Sequence, residues 1–166
     1  MNGFTERKTS GTERPGLNDR VLTWEASHAM LPLVGRIAVD VVRHQERLTR
    51  MQPEMARLDR QRHALDWPGR SRRYQLQEEI GTVETDLRQA QTELEVLGVA
   101  LLHAATGLVG FPTMVNNCRA FFTWQPGEDN LSFWNYAGNS IRRPVPESWT
   151  KTPKTRSRRG KSKPKQ

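Results

Sequence analysis

Cysteine occurs once in these 166 residues, at Cys118, so an internal disulfide is excluded. Lysine is scarce over most of the chain, with Lys8 the one example before Lys151. No run of about 18 apolar residues exists, so no membrane-spanning helix is expected. The opening MNGFTERKTSGTERPG lacks the apolar stretch of a secretory signal. A cytoplasmic protein is the expectation. The sequence has no G-x-x-x-x-G-K-[ST], G-x-G-x-x-G, H-E-x-x-H or G-x-S-x-G motif, and Cys118 has no evident base beside it. The residues therefore point away from an enzyme, with no catalytic residues, no metal and no cofactor expected.

What the chain does have is heptad patterning from Thr23 to about Leu101. Apolar residues recur at Met30, Leu33, Ile37, Val41, Leu48, Met51, Met55, Leu58 and Leu65. His44 and Arg62 fill the two vacant seam positions. A second series follows at Leu76, Ile80, Val83, Leu87, Ala90, Leu94, Leu97 and Leu101. Steps alternating between three and four residues mark the buried seam of a coiled coil. Trp67-Pro68-Gly69 separates the two series and carries a turn signal. The spacing predicts a long antiparallel coiled-coil helical hairpin over 21–104. Its first helix starts at an N-cap, Thr23, and its second runs from about Arg72 to Ala104. The seam continues past Pro32 and Pro53, so a kink is expected rather than a stop.

After Gly107 the sequence turns aromatic and β-branched. Three strands are expected at about 108–115, 118–124 and 131–136. Asn116-Asn117 suits a tight hairpin turn, and Gln125-Pro126-Gly127-Glu128 suits a type II turn. Together they predict a small three-stranded antiparallel β-meander over 105–149, ending in an extended arm and packed on the base of the hairpin. The fold class is α+β, mostly α. Residues 1–20 and 150–166 read as disordered tails. Ala120, Phe122 and Trp124 point one way from the meander, while Phe121 and Thr123 point the other. Aromatics on both faces leave one face for core packing and one for a protein partner or a second copy.

The net charge of +8 is localised. Lys151, Lys154, Arg156, Arg158, Arg159, Lys161, Lys163 and Lys165 lie in the last 16 residues without a single acid, and the rest of the chain balances 18 basic against 18 acidic residues. This tail is expected to bind nucleic acid, RNA or DNA, or another polyanion, through phosphate contacts that ignore sequence. An anionic lipid surface offers the same charge. A second basic site is suggested at the hairpin tip by Arg57, Arg60, Arg62, Arg70, Arg72 and Arg73.

Three segments carry a family resemblance: LTWEASHAMLP at 22–32, GLVGFP at 107–112, and Trp124 with Pro126-Gly127-Glu128 and Phe133-Trp134. Over 21 to about 146 the chain resembles the bacterial domain-of-unknown-function family 2203. Some members carry a label relating them to a division protein. The resemblance implies a long helical pair followed by a small sheet, and no established activity. Members usually read G-x-E-L-K-D, then G-L-V-D-F-P, L-C-W and W-H. Here Ala100, Leu102, His103, Gly110, Thr123 and Asn135 stand at those places. The Asp, Cys and His that would suit metal or acid–base chemistry are thus replaced. His103, Arg119, Glu128 and Asn135 are left as a residual set at the junction of helix and sheet.

Three functional classes follow. The first is a non-catalytic interaction or scaffold protein, monomeric or a small homo-oligomer, whose tail contacts nucleic acid. The second is a degenerate enzyme or metal-binding domain with the residual junction site. The third is a division-scaffold-like coiled coil.

Overall fold

The computed structural model describes residues 20–150. The expectations of disordered tails, and the eight tail cations, lie outside the described residues. Helix α1 spans Trp24–Arg60 and helix α2 spans Trp67–Val96. Strands β1 (Ala100–His103), β2 (Leu108–Val115), β3 (Cys118–Trp124), β4 (Phe133–Tyr136) and β5 (Arg143–Pro144) follow, and then one helical turn, α3 (Glu147–Thr150).

Thr23 caps α1 as expected, its side chain accepting from the Ala26 N–H at 3.2 Å. The helix runs unbroken through Pro32 and Pro53. At 37 residues it is about 55 Å long. It stops at Arg60, short of the expected Leu65. The Trp67-Pro68-Gly69 segment is the first turn of α2 rather than the connecting turn. Asp66 caps it by accepting from the Gly69 N–H at 2.9 Å. Proline is tolerated there because first-turn N–H groups have no partner inside the helix.

The two helices pack antiparallel, and the seam is largely where the heptads put it. Ile37, Val41, Leu48 and Leu58 are buried against Leu76, Val83, Ala90 and Leu94. Leu33 departs from the pattern at 51% exposed, while Val34 and Ala38 are fully buried. Near the base α1 must cover the sheet as well as α2, so its apolar stripe turns away from the seam.

The larger correction concerns residues 97–104, expected as helix. Gly98 adopts φ +75° and ends α2. The Val99 N–H donates to Leu94 O and the Gly98 N–H to Glu95 O, both at 2.9 Å. These paired bonds satisfy the last carbonyls in the way glycine-terminated helices do. The chain then enters β1, so His103 stands on a strand, not on a helix.

The sheet holds five antiparallel strands in the order β1-β2-β3-β4-β5, two more than the expected meander. The three expected strands and both expected turns are present. Asn116 and Asn117 take φ of 50° and 60°. Glu128 N–H donates to Gln125 O at 3.2 Å across the second turn, where Gly127 has φ +99°. The expected arm contributes β5, which pairs with β4 through Arg143 and Pro144.

One face of the sheet closes on the helices. Val109, Phe111, Ala120, Phe122, Trp124 and Trp134 join Val34, Ala38, Val41 and Leu94 in a single core. Gly107 locks the corner. It sits at φ +67°, and a Cβ there would lie 2.8 Å from Val42 Cγ2 and 3.0 Å from both the Ala38 carbonyl and Pro126 Cδ. Gly107→Ala therefore combines left-handed backbone strain with a clash against main chain. A loss of about 2–4 kcal/mol is expected in a denaturant titration. An unchanged midpoint would contradict this packing.

Candidate nucleic-acid interface

The hairpin tip is where the described residues concentrate exposed cations. Not all six expected arginines remain available. Arg72 grips Glu54 with both arms of its guanidinium, at 2.9 and 2.8 Å, and reaches Glu79 at 3.7 Å. Arg73 donates to Asp59 at 2.7 Å. Both pairs cross from α2 to α1 and fix the helices in register. The Arg72 hydrogen bond holds the Glu54 carboxyl below its ordinary value of 4.5. A lowered carboxylate contributes stability above its unfolded-state value and loses it as pH falls through the folded-state one. A carbon-detected NMR titration of Glu54 should give a midpoint under 4.5. A midpoint at or above that value would contradict the bridge.

Arg57, Arg60 and Arg70 form no ion pair among the described residues and are exposed. Arg62 contacts only the His63 ring, at 3.0 Å. Trp67 and Tyr74 accompany them, at 74% and 66% exposed. They are seven residues apart on α2 and so share one face. The Arg73 guanidinium lies 5.9 Å from the Tyr74 ring centre. Neither aromatic belongs to the heptad seam; the sequence places Trp67 in an expected turn and gives Tyr74 no role. The available signal was their seven-residue spacing off the seam, flanking Arg70.

The residual junction residues are placed on different parts of the sheet. His103 pairs with Leu108 and Arg119 with Met114, at opposite ends of β2 and about 20 Å apart along it. His103 Nδ1 contacts Thr106 Oγ1 at 3.1 Å. Asn135 donates from Nδ2 to Asn139 O, and its Oδ1 is buried without a partner. Glu128 is engaged fully. Its carboxylate accepts from Arg142 at 2.6 and 2.8 Å and from the Gln125 N–H at 3.2 Å. Arg142 also donates to Thr123 Oγ1 and Thr123 O, at 3.0 and 3.2 Å, and lies 4.5 Å over the Phe133 ring. Arg142, which sequence alone did not single out, closes the turn after β3 onto β4 and covers the second sheet face.

The positions that depart from the family pattern do converge. Ala100 pairs with Gly110, Gly110 with Thr123, and Phe121 with Asn135. Opposed residues share a face, so these side chains line the face of the sheet away from the helices. Among the described residues no three His, Cys, Asp or Glu side chains gather closely enough to hold a metal ion. Among them no helix is long and apolar enough to cross a membrane.

No curated protein and no solved structure matches the chain. The family model described as "Uncharacterized conserved protein (DUF2203)" matches residues 20–145, and the chain belongs to that family.

Proposed function

We propose that the protein is a non-catalytic interaction protein that binds nucleic acid through phosphate contacts from its basic tail, with the hairpin tip as a second contact. The carrying observation is the segregation of charge. Residues 20–150 hold equal numbers of basic and acidic side chains, whereas 151–166 hold eight cations and no acid. Within the folded part, Arg57, Arg60, Arg62 and Arg70 at the tip are exposed and form no ion pair among the described residues, while α2 from Glu78 to Glu95 carries six acids against Arg88. A polyanion is thus attracted to the basic tail and to the tip, and repelled from the acidic stretch of α2.

Two supports concern chemistry. The tail has no aromatic residue and no base-reading pattern, so its contacts are with backbone phosphates and independent of sequence. The polar residues left at the helix–sheet junction do not converge: His103 and Arg119 lie near opposite ends of β2, Asn135 turns to the Asn139 carbonyl, and Glu128 is held by Arg142. Anionic lipid is the competing ligand. The test is a partition experiment in which the full chain is offered labelled duplex DNA, labelled RNA and phosphatidylserine vesicles at about 150 mM salt. Nucleic acid should capture the protein. Retention on vesicles in the presence of excess nucleic acid would refute the reading.

A further inference from the structure

From the two exposed rings at the hairpin tip we infer that this tip binds unpaired nucleotides, with bases stacking on Trp67 and Tyr74 and Arg70 meeting the phosphate between them. This deepens the nucleic-acid reading and rests on it, but it assigns a different chemistry from the tail's. An indole at 74% exposure and a phenol at 66% are large apolar surfaces left in water on one helix face. Neither contributes to the seam that joins α1 to α2. Seven residues of helix separate them by about 10 Å along the axis. Arg70 lies three residues after Trp67 and four before Tyr74, on the same stripe.

The surroundings choose the ligand. Arg57 and Arg60 at the end of α1 and Arg62 just beyond it extend the positive charge, and none of them forms an ion pair among the described residues, although Arg57 acts through space on the Glu54 carboxylate. An apolar or acidic-poor peptide would gain nothing from these cations, and a duplex keeps its base faces stacked inside. An unpaired strand offers both flat π-faces and phosphates, and stacking tolerates any base. The Arg73 guanidinium near the Tyr74 ring is itself held by Asp59, so that ring is already partly ordered before a base arrives.

The experiment uses the full chain, a labelled oligouridine or oligothymidine of about 15 nucleotides, and a duplex of equal length. The double variant Trp67→Ala/Tyr74→Ala should lose about tenfold or more in single-strand affinity per ring and leave duplex affinity unchanged. Trp67→Phe in the double variant's place should recover part of the loss, because a phenyl ring still stacks. Both positions are exposed, so circular dichroism of the variants should match that of the wild-type chain. Equal losses on single strand and duplex would overturn stacking in favour of phosphate contact. Wild-type affinity in the double variant would overturn the tip site while the tail reading stood. Absence of any binding by the wild-type chain would remove both. Sedimentation of the wild-type chain with phosphatidylserine vesicles that the double variant loses, without oligonucleotide binding, would reassign the tip to lipid.

Discussion

Ending the chain at Thr150 is expected to abolish most duplex binding and to flatten its salt dependence. Each phosphate neutralised on duplex DNA releases counterion, and the log–log slope steepens by about 0.9 per contact. Eight tail cations, if all engaged, give a slope approaching about −7 for the full chain. A protein with that many contacts loses about ten-thousandfold in affinity between 50 and 200 mM salt. The shortened chain keeps the tip arginines as its densest basic cluster, of which Arg72 and Arg73 are occupied by Glu54, Glu79 and Asp59. Its slope should shrink to about −3 or less in magnitude. Identical salt slopes for the two chains, measured by fluorescence anisotropy, would show that the tail makes no phosphate contacts. The folded part contributes little to this experiment, so a change in slope reports on the tail and not on stability.

Arg142→Ala is expected to cost the fold about 3 kcal/mol. The side chain is 22% exposed and its partner Glu128 18%. Removing the guanidinium strips two bonds from the Glu128 carboxylate and two from Thr123, and leaves a largely buried anion with only the Gln125 N–H. Breaking one side of such a pair is far costlier than removing both. Glu128→Gln combined with Arg142→Met should therefore lose less than Arg142→Ala alone. Arg142→Lys keeps the charge but not the fork, and should recover less than half of the loss. A loss under 1 kcal/mol in Arg142→Ala would mean that solvent screens the pair as it does at an open surface. The same variant should loosen the second sheet face, because Arg142 lies over Phe133.

Periodicity made the helical hairpin legible, because the seam repeats over about ten turns of α1 and one misplaced residue does not erase it. Strands β2 and β3 were legible for a similar reason. Asn116-Asn117 and Pro126-Gly127 mark their ends, and β-branched and aromatic residues fill them. The end of α2 was not. Leu97 and Leu101 happen to continue the heptad, and that coincidence outweighed Gly98, whose left-handed conformation decides the matter. Strands β1 and β5 were missed because neither has an independent signal. Each is defined by the partner it meets, β2 for Ala100–His103 and β4 for Arg143–Pro144.

The candidate site divides in the same way. The charge of the tip could be counted from sequence, but which arginines remain available depends on cross-helix distances. Glu54 is eighteen residues from Arg72, and no local pattern announces the bridge. Trp67 looked like part of a turn. Only the placement of Asp66 as the cap of α2 puts its indole on a helix face with Tyr74. Glu128 looked like a surviving polar candidate, and its capture by Arg142 is a contact between segments fourteen residues apart.

The most direct test of the account is anisotropy of a labelled nucleic acid titrated with the purified full chain at about 50 and about 200 mM salt. The account predicts binding at the lower salt that weakens by about ten-thousandfold at the higher if all eight tail cations engage, and without regard to sequence. No binding at 50 mM, or binding indifferent to salt, would contradict it.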